Sequence, residues 1–226
     1  MNPFIIAEGP RAEGNLIVVD NQNRPLLSLP TLLLVAALGG MSGASPALAA
    51  EKQETAILAG GCYWGVEGVY EHVKGVRSAV SGFAGGTRSA LDRNGGGRVG
   101  FAEAVRISFN PAEISYNQLL EIFVTIAHDP TQVDRQGPDI GPRYRSAIFP
   151  QNAQQQHAAE QFLARLRTSG RFSRPIATGV EHGRFEPAEQ GHQDYMRKHP
   201  NARYVVINDL PKLAELRRAY PQIWRD

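Results

Sequence analysis

Between Thr55 and Val73 the hydrophobic period changes from strand-like to helical across a joint of three residues, Gly60-Gly61-Cys62. Thr55 to Ala59 are apolar and strand-like, so a strand is expected over 55–59. Val66, Val69, Tyr70 and Val73 share one face of a helix expected over 63–74. Cys62, the single cysteine of the 226-residue chain, stands where strand becomes helix. Free backbone N–H groups and the positive end of a helix dipole lie beside a sulfur so placed, an environment expected to favour the reactive thiolate. Tyr63 and Trp64 follow directly and suggest an apolar wall. A lone cysteine also reads as a small buried core residue; the glycines, the helix start and the aromatics favour a nucleophile.

The joint opens a longer alternation. A strand at 77–83 follows the Gly75 turn, residues 84–100 form a glycine-rich loop, and Val105, Ile107 and Phe109 alternate with polar positions in a strand at 102–109. Ser115 and Gln118 form a capping box for a helix at 116–127, whose core face is Leu119, Ile122, Phe123 and Ile126. A long loop over 128–144, without structure of its own and of the kind often functional, leads to a strand at 145–149. The order β-α-β-β-α-β is that of a split βαβ, ferredoxin-like core: an α+β two-layer sandwich with a mixed sheet covered by helices. A helix at 151–169, a strand at 175–180, a short helix near 187–197, a strand at 203–207 and a helix at 210–219 extend it.

The front of the chain has another character. Residues 26–40 are uncharged and largely apolar, too short to span a bilayer comfortably, and small residues follow up to Ala47-Leu48-Ala49-Ala50. This is the pattern of a secretory signal cut near Ala49 or Ala50. Residues 1–50 are therefore read as an extension and signal peptide, and 51–226 as one domain, periplasmic or secreted, with no stable membrane association after processing. About 24 residues that include Glu8, Glu13 and Asp20 precede the apolar run, so translation is expected to start nearer Val18 or Val19. Without residues 1–50 the chain holds 22 basic and 19 acidic residues and no dense basic stripe, which gives nucleic-acid binding no support. One cysteine excludes an internal disulfide and points to a free reactive thiol or an intermolecular bridge.

Beyond the joint, several short motifs occur in a fixed order. They are Gly60-Gly61-Cys62-Tyr63-Trp64-Gly65, Gly82-Phe83-Ala84-Gly85-Gly86, Gly100-Phe101-Ala102-Glu103-Ala104-Val105 and His128-Asp129-Pro130-Thr131-Gln132. Arg135 to Gly141, Tyr144 to Ile148, Pro187-Ala188-Glu189 and His192-Gln193-Asp194-Tyr195 complete the series. Together these resemble the peptide methionine sulfoxide reductases of the A type over roughly residues 55 to 210. The resemblance implies thiol-dependent reduction of methionine-S-sulfoxide, in proteins and as the free amino acid, without metal or organic cofactor. It implies Cys62 as nucleophile, Glu103 as the acid that protonates the sulfoxide oxygen, and Asp139 and Tyr144 as further active-site groups, the tyrosine donating to that oxygen. Tyr63 and Trp64 would form the pocket for the substrate methyl group, with Phe83 as a further substrate-binding residue.

Taken alone, these residues have ordinary readings. A strand glutamate such as Glu103 usually faces solvent, although here Phe101, Ala102, Ala104 and Val105 around it would desolvate the carboxyl and keep it protonated near neutral pH. Asp139 among prolines and glycines reads as a turn residue. Aromatics in the first turn of a helix are more often core. His128, His182 and His192 are scattered, without metal-ligand spacing, so neither a metal site nor a Cys-His hydrolase is favoured.

Some positions depart from the family pattern. Phe83 stands where a tyrosine is common, Tyr63 where a phenylalanine is usual, Phe101 in place of a histidine and Gly191 in place of an aromatic. The segment Thr87 to Val99 does not follow the usual wording. The resolving cysteines that many relatives carry near the C-terminus are missing, so a sulfenic acid on Cys62 would need an external thiol of glutaredoxin, glutathione or thioredoxin type. A monomer is expected. The competing readings are a catalytically eroded relative that binds oxidised or methionine-rich peptides, and another thiol enzyme such as a peroxidase.

Overall fold

The computed structural model describes residues 52–86 and 100–226. The signal, its cleavage site and most of the glycine-rich loop over 84–100 lie outside the described residues.

Strand β1 (Glu54–Gly60) passes through the glycine joint into helix α1 (Tyr63–Glu71), and β2 (Val76–Gly85) and β3 (Phe101–Phe109) follow. Helix α2 (Tyr116–Ile122) carries the expected capping box, the Ser115 hydroxyl accepting from the Gln118 N–H and the Gln118 side chain accepting from the Ser115 N–H. It runs on as a π-helical turn, Phe123–Ala127. After β4 (Arg135–Gln136), β5 (Asp139–Ile140) and a 3-10 turn at Pro142–Tyr144 come β6 (Ser146–Phe149) and α3 (Ala153–Thr168). Then follow β7 (Gly179–Val180), β8 (Arg184–Pro187), a 3-10 turn at Gln190–His192 and α4 (Tyr195–Lys198). A second π-helical turn, Val205–Asp209, leads into α5 (Leu210–Ala219).

The main sheet has the order β7-β6-β1-β3-β2-β8. β1 and β2 both run antiparallel to β3, which separates them, and β6 runs antiparallel to β1. That is the split βαβ core expected from the element order, widened by parallel β7 at one edge and antiparallel β8 at the other. Period-two alternation divides the buried side chains between the two faces. Leu58, Val105, Ile107 and Ile148 join Val66, Val69, Tyr70, Leu119, Phe123, Leu163 and Leu216 from the helices in the main core. Ile57, Ala59, Ala84, Ala102, Ala104, Ala147 and Phe149 form a smaller cluster on the opposite side.

Several expected elements are different. The 128–144 segment contains the β4–β5 hairpin, whose register pairs Gln136 with Asp139. The 175–180 strand shrinks to the two residues that pair with Ala147 and Ile148. The helix expected near 187–197 is the end of β8, a 3-10 turn and the single turn of α4, because Asp194 adopts a left-handed backbone (φ 55°) that interrupts a helix. The strand expected over 203–207 is helical. Its β-branched residues suit a strand in isolation, but Val205 is fully buried while Val206 and Ile207 are 47% and 58% exposed, which is a helical pattern of burial and not an alternating one.

Candidate active site

A cleft of about 460 Å³ opens beside the glycine joint, lined by Cys62, Tyr63, Trp64, Phe83, Glu103, Asp139, Arg143, Tyr144, His192 and Tyr204. All seven residues singled out from the sequence are among these. Cys62 is the N-cap of α1, and its side chain is 9% exposed. The joint that places it there depends on Gly61, at φ 89°, where a Cβ would lie 2.4 Å from the Cβ of Gln136 on the hairpin. Four residues further on, a Cβ at Gly65 would lie 2.2 Å from Oδ1 of the fully buried Asp209. The first turn of α1 is thus held between the β4–β5 hairpin and the second π-helical turn, and neither approach leaves room for a side chain.

The thiolate expected at the helix start is not the resting form. Burial of Cys62 is the largest influence and raises its pKa well above the ordinary thiol value. The charges of Glu103, Asp209 and Asp139 act in the same direction, and only the backbone N–H of Trp64 opposes them. A helix N-terminus contributes partial charges, whereas three carboxylates facing a desolvated sulfur outweigh them. Cys62 rests as a thiol.

Glu103 projects from β3 and is 7% exposed. Desolvation raises its pKa to about 7 and Asp139 adds to the rise, against the backbone N–H of Tyr63, which donates to Oε2 at 3.3 Å, and the positive charge of Arg143. Near neutral pH the group therefore exchanges a proton readily. Asp139, on β5, accepts a hydrogen bond from the Tyr204 hydroxyl, and this bond joins the hairpin to the C-terminal helical segment. The π-helical turn explains the second contact of that segment: a five-residue repeat brings Tyr204 and Asp209 to the same side, one toward Asp139 and the other against Gly65. Tyr144 follows Arg143 in the 3-10 turn, which begins after Gly141 at φ 128°.

Aromatic rings build the other wall. Trp64 stacks on Tyr195 with centroids 3.7 Å apart and planes at 7°, and on His192 at 5.9 Å and 17°. Tyr63 meets the edge of Phe83 at 5.6 Å and lies 5.7 Å from His192. Arg143, His192 and Tyr204 were not assigned to the site from the sequence. His192 belongs to the His192-Gln193-Asp194-Tyr195 motif, whereas Tyr204 lies in a segment whose strand propensity conceals it. Of the other histidines, His128 bonds Phe123 O through Nδ1 (2.8 Å) and Ser146 Oγ through Nε2 (2.6 Å). Burial lowers its pKa to about 4 and keeps it neutral, and its two bonds tie the π-helical turn to β6. Among the described residues no three His, Cys, Asp or Glu side chains are grouped so as to hold a metal.

A model of the family described as peptide methionine sulfoxide reductase matches residues 54–223. The peptide methionine sulfoxide reductase MsrA 2 of Mesorhizobium japonicum is 45% identical over 181 residues, covering 79% of this chain and 93% of its own. The MsrA of Deinococcus radiodurans is 43% identical over 171 residues, 74% of this chain and 82% of its own. Among solved structures, reduced Mxr1 of Saccharomyces cerevisiae superposes with a TM-score of 0.58 at 30% identity, over 67% of this chain and 88% of that one. Methionine sulfoxide reductase A of Corynebacterium diphtheriae gives 0.55 at 32% identity, over 66% and 76%. The family model runs from the first core strand to beyond the last helix, and the chain belongs to the peptide methionine sulfoxide reductase family.

Proposed function

We propose that this protein reduces methionine-S-sulfoxide, in oxidised proteins and as the free amino acid, by a single-cysteine cycle. The observation that carries the reading is the placement of the only thiol, Cys62, in one cleft with a carboxyl whose pKa is near 7 and an aromatic wall. The aromatic rings receive the methyl group and the sulfoxide oxygen faces Glu103. Protonated Glu103 donates to that oxygen, which makes the sulfur electrophilic, and Tyr144 supplies a second hydrogen bond. As the Cys62 sulfur attacks, its own proton passes to the Glu103 carboxylate. The S–O bond to methionine breaks, and the oxygen leaves with its proton on the cysteine. Cys62–SH and the sulfoxide thereby become Cys62–SOH and methionine; the substrate sulfur gains two electrons and the cysteine sulfur loses two.

No second cysteine exists to resolve the sulfenic acid. An external thiol of glutathione, glutaredoxin or thioredoxin type condenses with it, releasing water, and a second thiol regenerates Cys62. The protein acts as a monomer. The apolar run over 26–40 and Ala47-Leu48-Ala49-Ala50 support export to the periplasm or beyond, with loss of residues up to Ala49 or Ala50. The start of β1 at Glu54, after that cut, is compatible with this reading.

Turnover of methyl p-tolyl sulfoxide with dithiothreitol, resolved by epimer, tests the reaction. Sulfide from one epimer alone supports it, binding without turnover indicates a peptide-binding relative, and peroxide consumption alone indicates a peroxidase. N-terminal sequencing of exported material tests the processing; a mature form beginning at Met1 refutes it.

A further inference from the structure

One buried carboxyl on α1 takes no part in the chemistry. Glu67 lies one helical turn beyond Tyr63 and Trp64 and is 1% exposed. Its two oxygens accept backbone N–H groups from different elements: Oε1 from Ser81 on β2 (3.2 Å) and Oε2 from Asp194 (3.0 Å). Ser81 is two residues from Phe83, and Asp194 stands between His192 and Tyr195. The walls of the aromatic slot thus arrive on two separate pieces of chain, both fastened to α1 through one side chain.

Gln193 completes the junction. Its amide accepts the Ser81 N–H (2.9 Å) and donates to the carbonyls of Ser81 (2.9 Å) and Ala188 (3.0 Å), so it binds β2 much as another strand would. Asp194 needs a fixed anchor, because its left-handed backbone (φ 55°) is costly for a residue with a side chain. That conformation turns Tyr195 onto Trp64.

We propose that Glu67 is a positioning residue that holds β2 and the 188–195 segment at the spacing where Phe83, His192 and Tyr195 close around Tyr63 and Trp64. The substrate in the slot is the one named above; the placement of the rings is independent of that reading. Charged groups facing Glu67 are Glu71 on its own helix and Asp194 and Arg197 from the packed segment. Burial raises the Glu67 carboxyl to about 7, with Asp194 adding and the Ser81 N–H opposing. Its ionised form, with two accepting oxygens, is the better clamp.

The test uses the full chain carrying Trp224→Phe, which leaves Trp64 as the only tryptophan. Glu67→Leu is expected to lose most of the near-ultraviolet dichroism of Trp64 without substrate. It should also raise KM for the sulfoxide roughly tenfold while kcat changes less than about threefold. Glu67→Gln should rescue both to the level of the parent at about pH 6, since its carbonyl, like that of the protonated acid, can still accept from Asp194 while Gln193 retains Ser81. Between about pH 6 and about pH 8 the Trp64 signal should strengthen in the parent and stay level in Glu67→Gln. A folded Glu67→Leu with unchanged Trp64 signal and KM overturns the proposal. If Glu67→Leu does not fold, an unchanged pH response of the Trp64 signal in Glu67→Gln overturns it. A parent that reduces no sulfoxide refutes the function proposed above, while the Trp64 signals still decide the role of Glu67.

Discussion

Phe83 on β2 and Glu103 on β3 are direct cross-strand partners. Residues opposite one another in an antiparallel pair project to the same face, within reach of side-chain contact. A ring therefore stands beside the carboxyl that faces Cys62, and this apolar neighbour contributes to the desolvation that brings Glu103 to about 7. Acid strength and slot shape are coupled through one register.

Replacing the nucleophile gives the simplest outcome. Cys62→Ser keeps the volume of a small N-cap side chain but offers a far weaker nucleophile. Steady-state assays should find less than about a hundredth of wild-type turnover, with an unchanged circular dichroism spectrum.

Glu103→Gln should move two rates in opposite directions. Without a transferable proton, sulfoxide reduction should fall by about 10². Removing the Glu103 charge also lowers the Cys62 pKa, so alkylation by iodoacetamide at mildly alkaline pH should speed up. Equal slowing of both rates would mean that the substitution damaged the site as a whole.

The pH dependence has a definite sign. Glu103 has a folded pKa raised from 4.5 to about 7, so its contribution to stability is fully present below 4.5 and is lost as pH rises through 7. Catalysis that needs its proton should decline over the same upper limb. Thermal denaturation of Glu103→Gln and wild type should show the variant gaining relative stability from about pH 5 to about pH 8. A constant difference across that range contradicts the shifted carboxyl.

Tyr204→Phe removes the donor to Asp139 and leaves the ring in place. The β4–β5 hairpin then loses its tie to the C-terminal helical segment. Stability should fall by about 1 kcal/mol, and turnover by roughly tenfold through misplacement of Asp139 and Tyr144. Unchanged kinetics in this variant would show that the hairpin is held by other contacts.

A stoichiometric experiment tests the cycle itself. With methionine sulfoxide and no reductant, the enzyme should release about one methionine and lose its one titratable thiol, giving a dimedone adduct at Cys62. Continued turnover without added thiol contradicts a single-cysteine cycle.

Sequence alone determined the parts of this protein that rest on local pattern. The helical period after Gly60-Gly61, the Ser115–Gln118 box and the alternation in β3 depend on neighbours a few residues apart, and each element lies where its pattern puts it. The ordered motifs carried Cys62, Tyr63, Trp64, Phe83, Glu103, Asp139 and Tyr144 to a single cleft. What the tertiary structure decided depends on contacts between distant segments. Tyr204 to Ile207 have strand propensity, yet they form a helix because Tyr204 meets Asp139 and Asp209 packs on Gly65. The helix start at Cys62 suggested a thiolate, yet burial and the charges of Glu103, Asp209 and Asp139 keep the thiol protonated. Burial under distant segments, reinforced by carboxylates from other strands and helices, raises the proton affinity of the sulfur, and no pattern within α1 reveals that they will arrive.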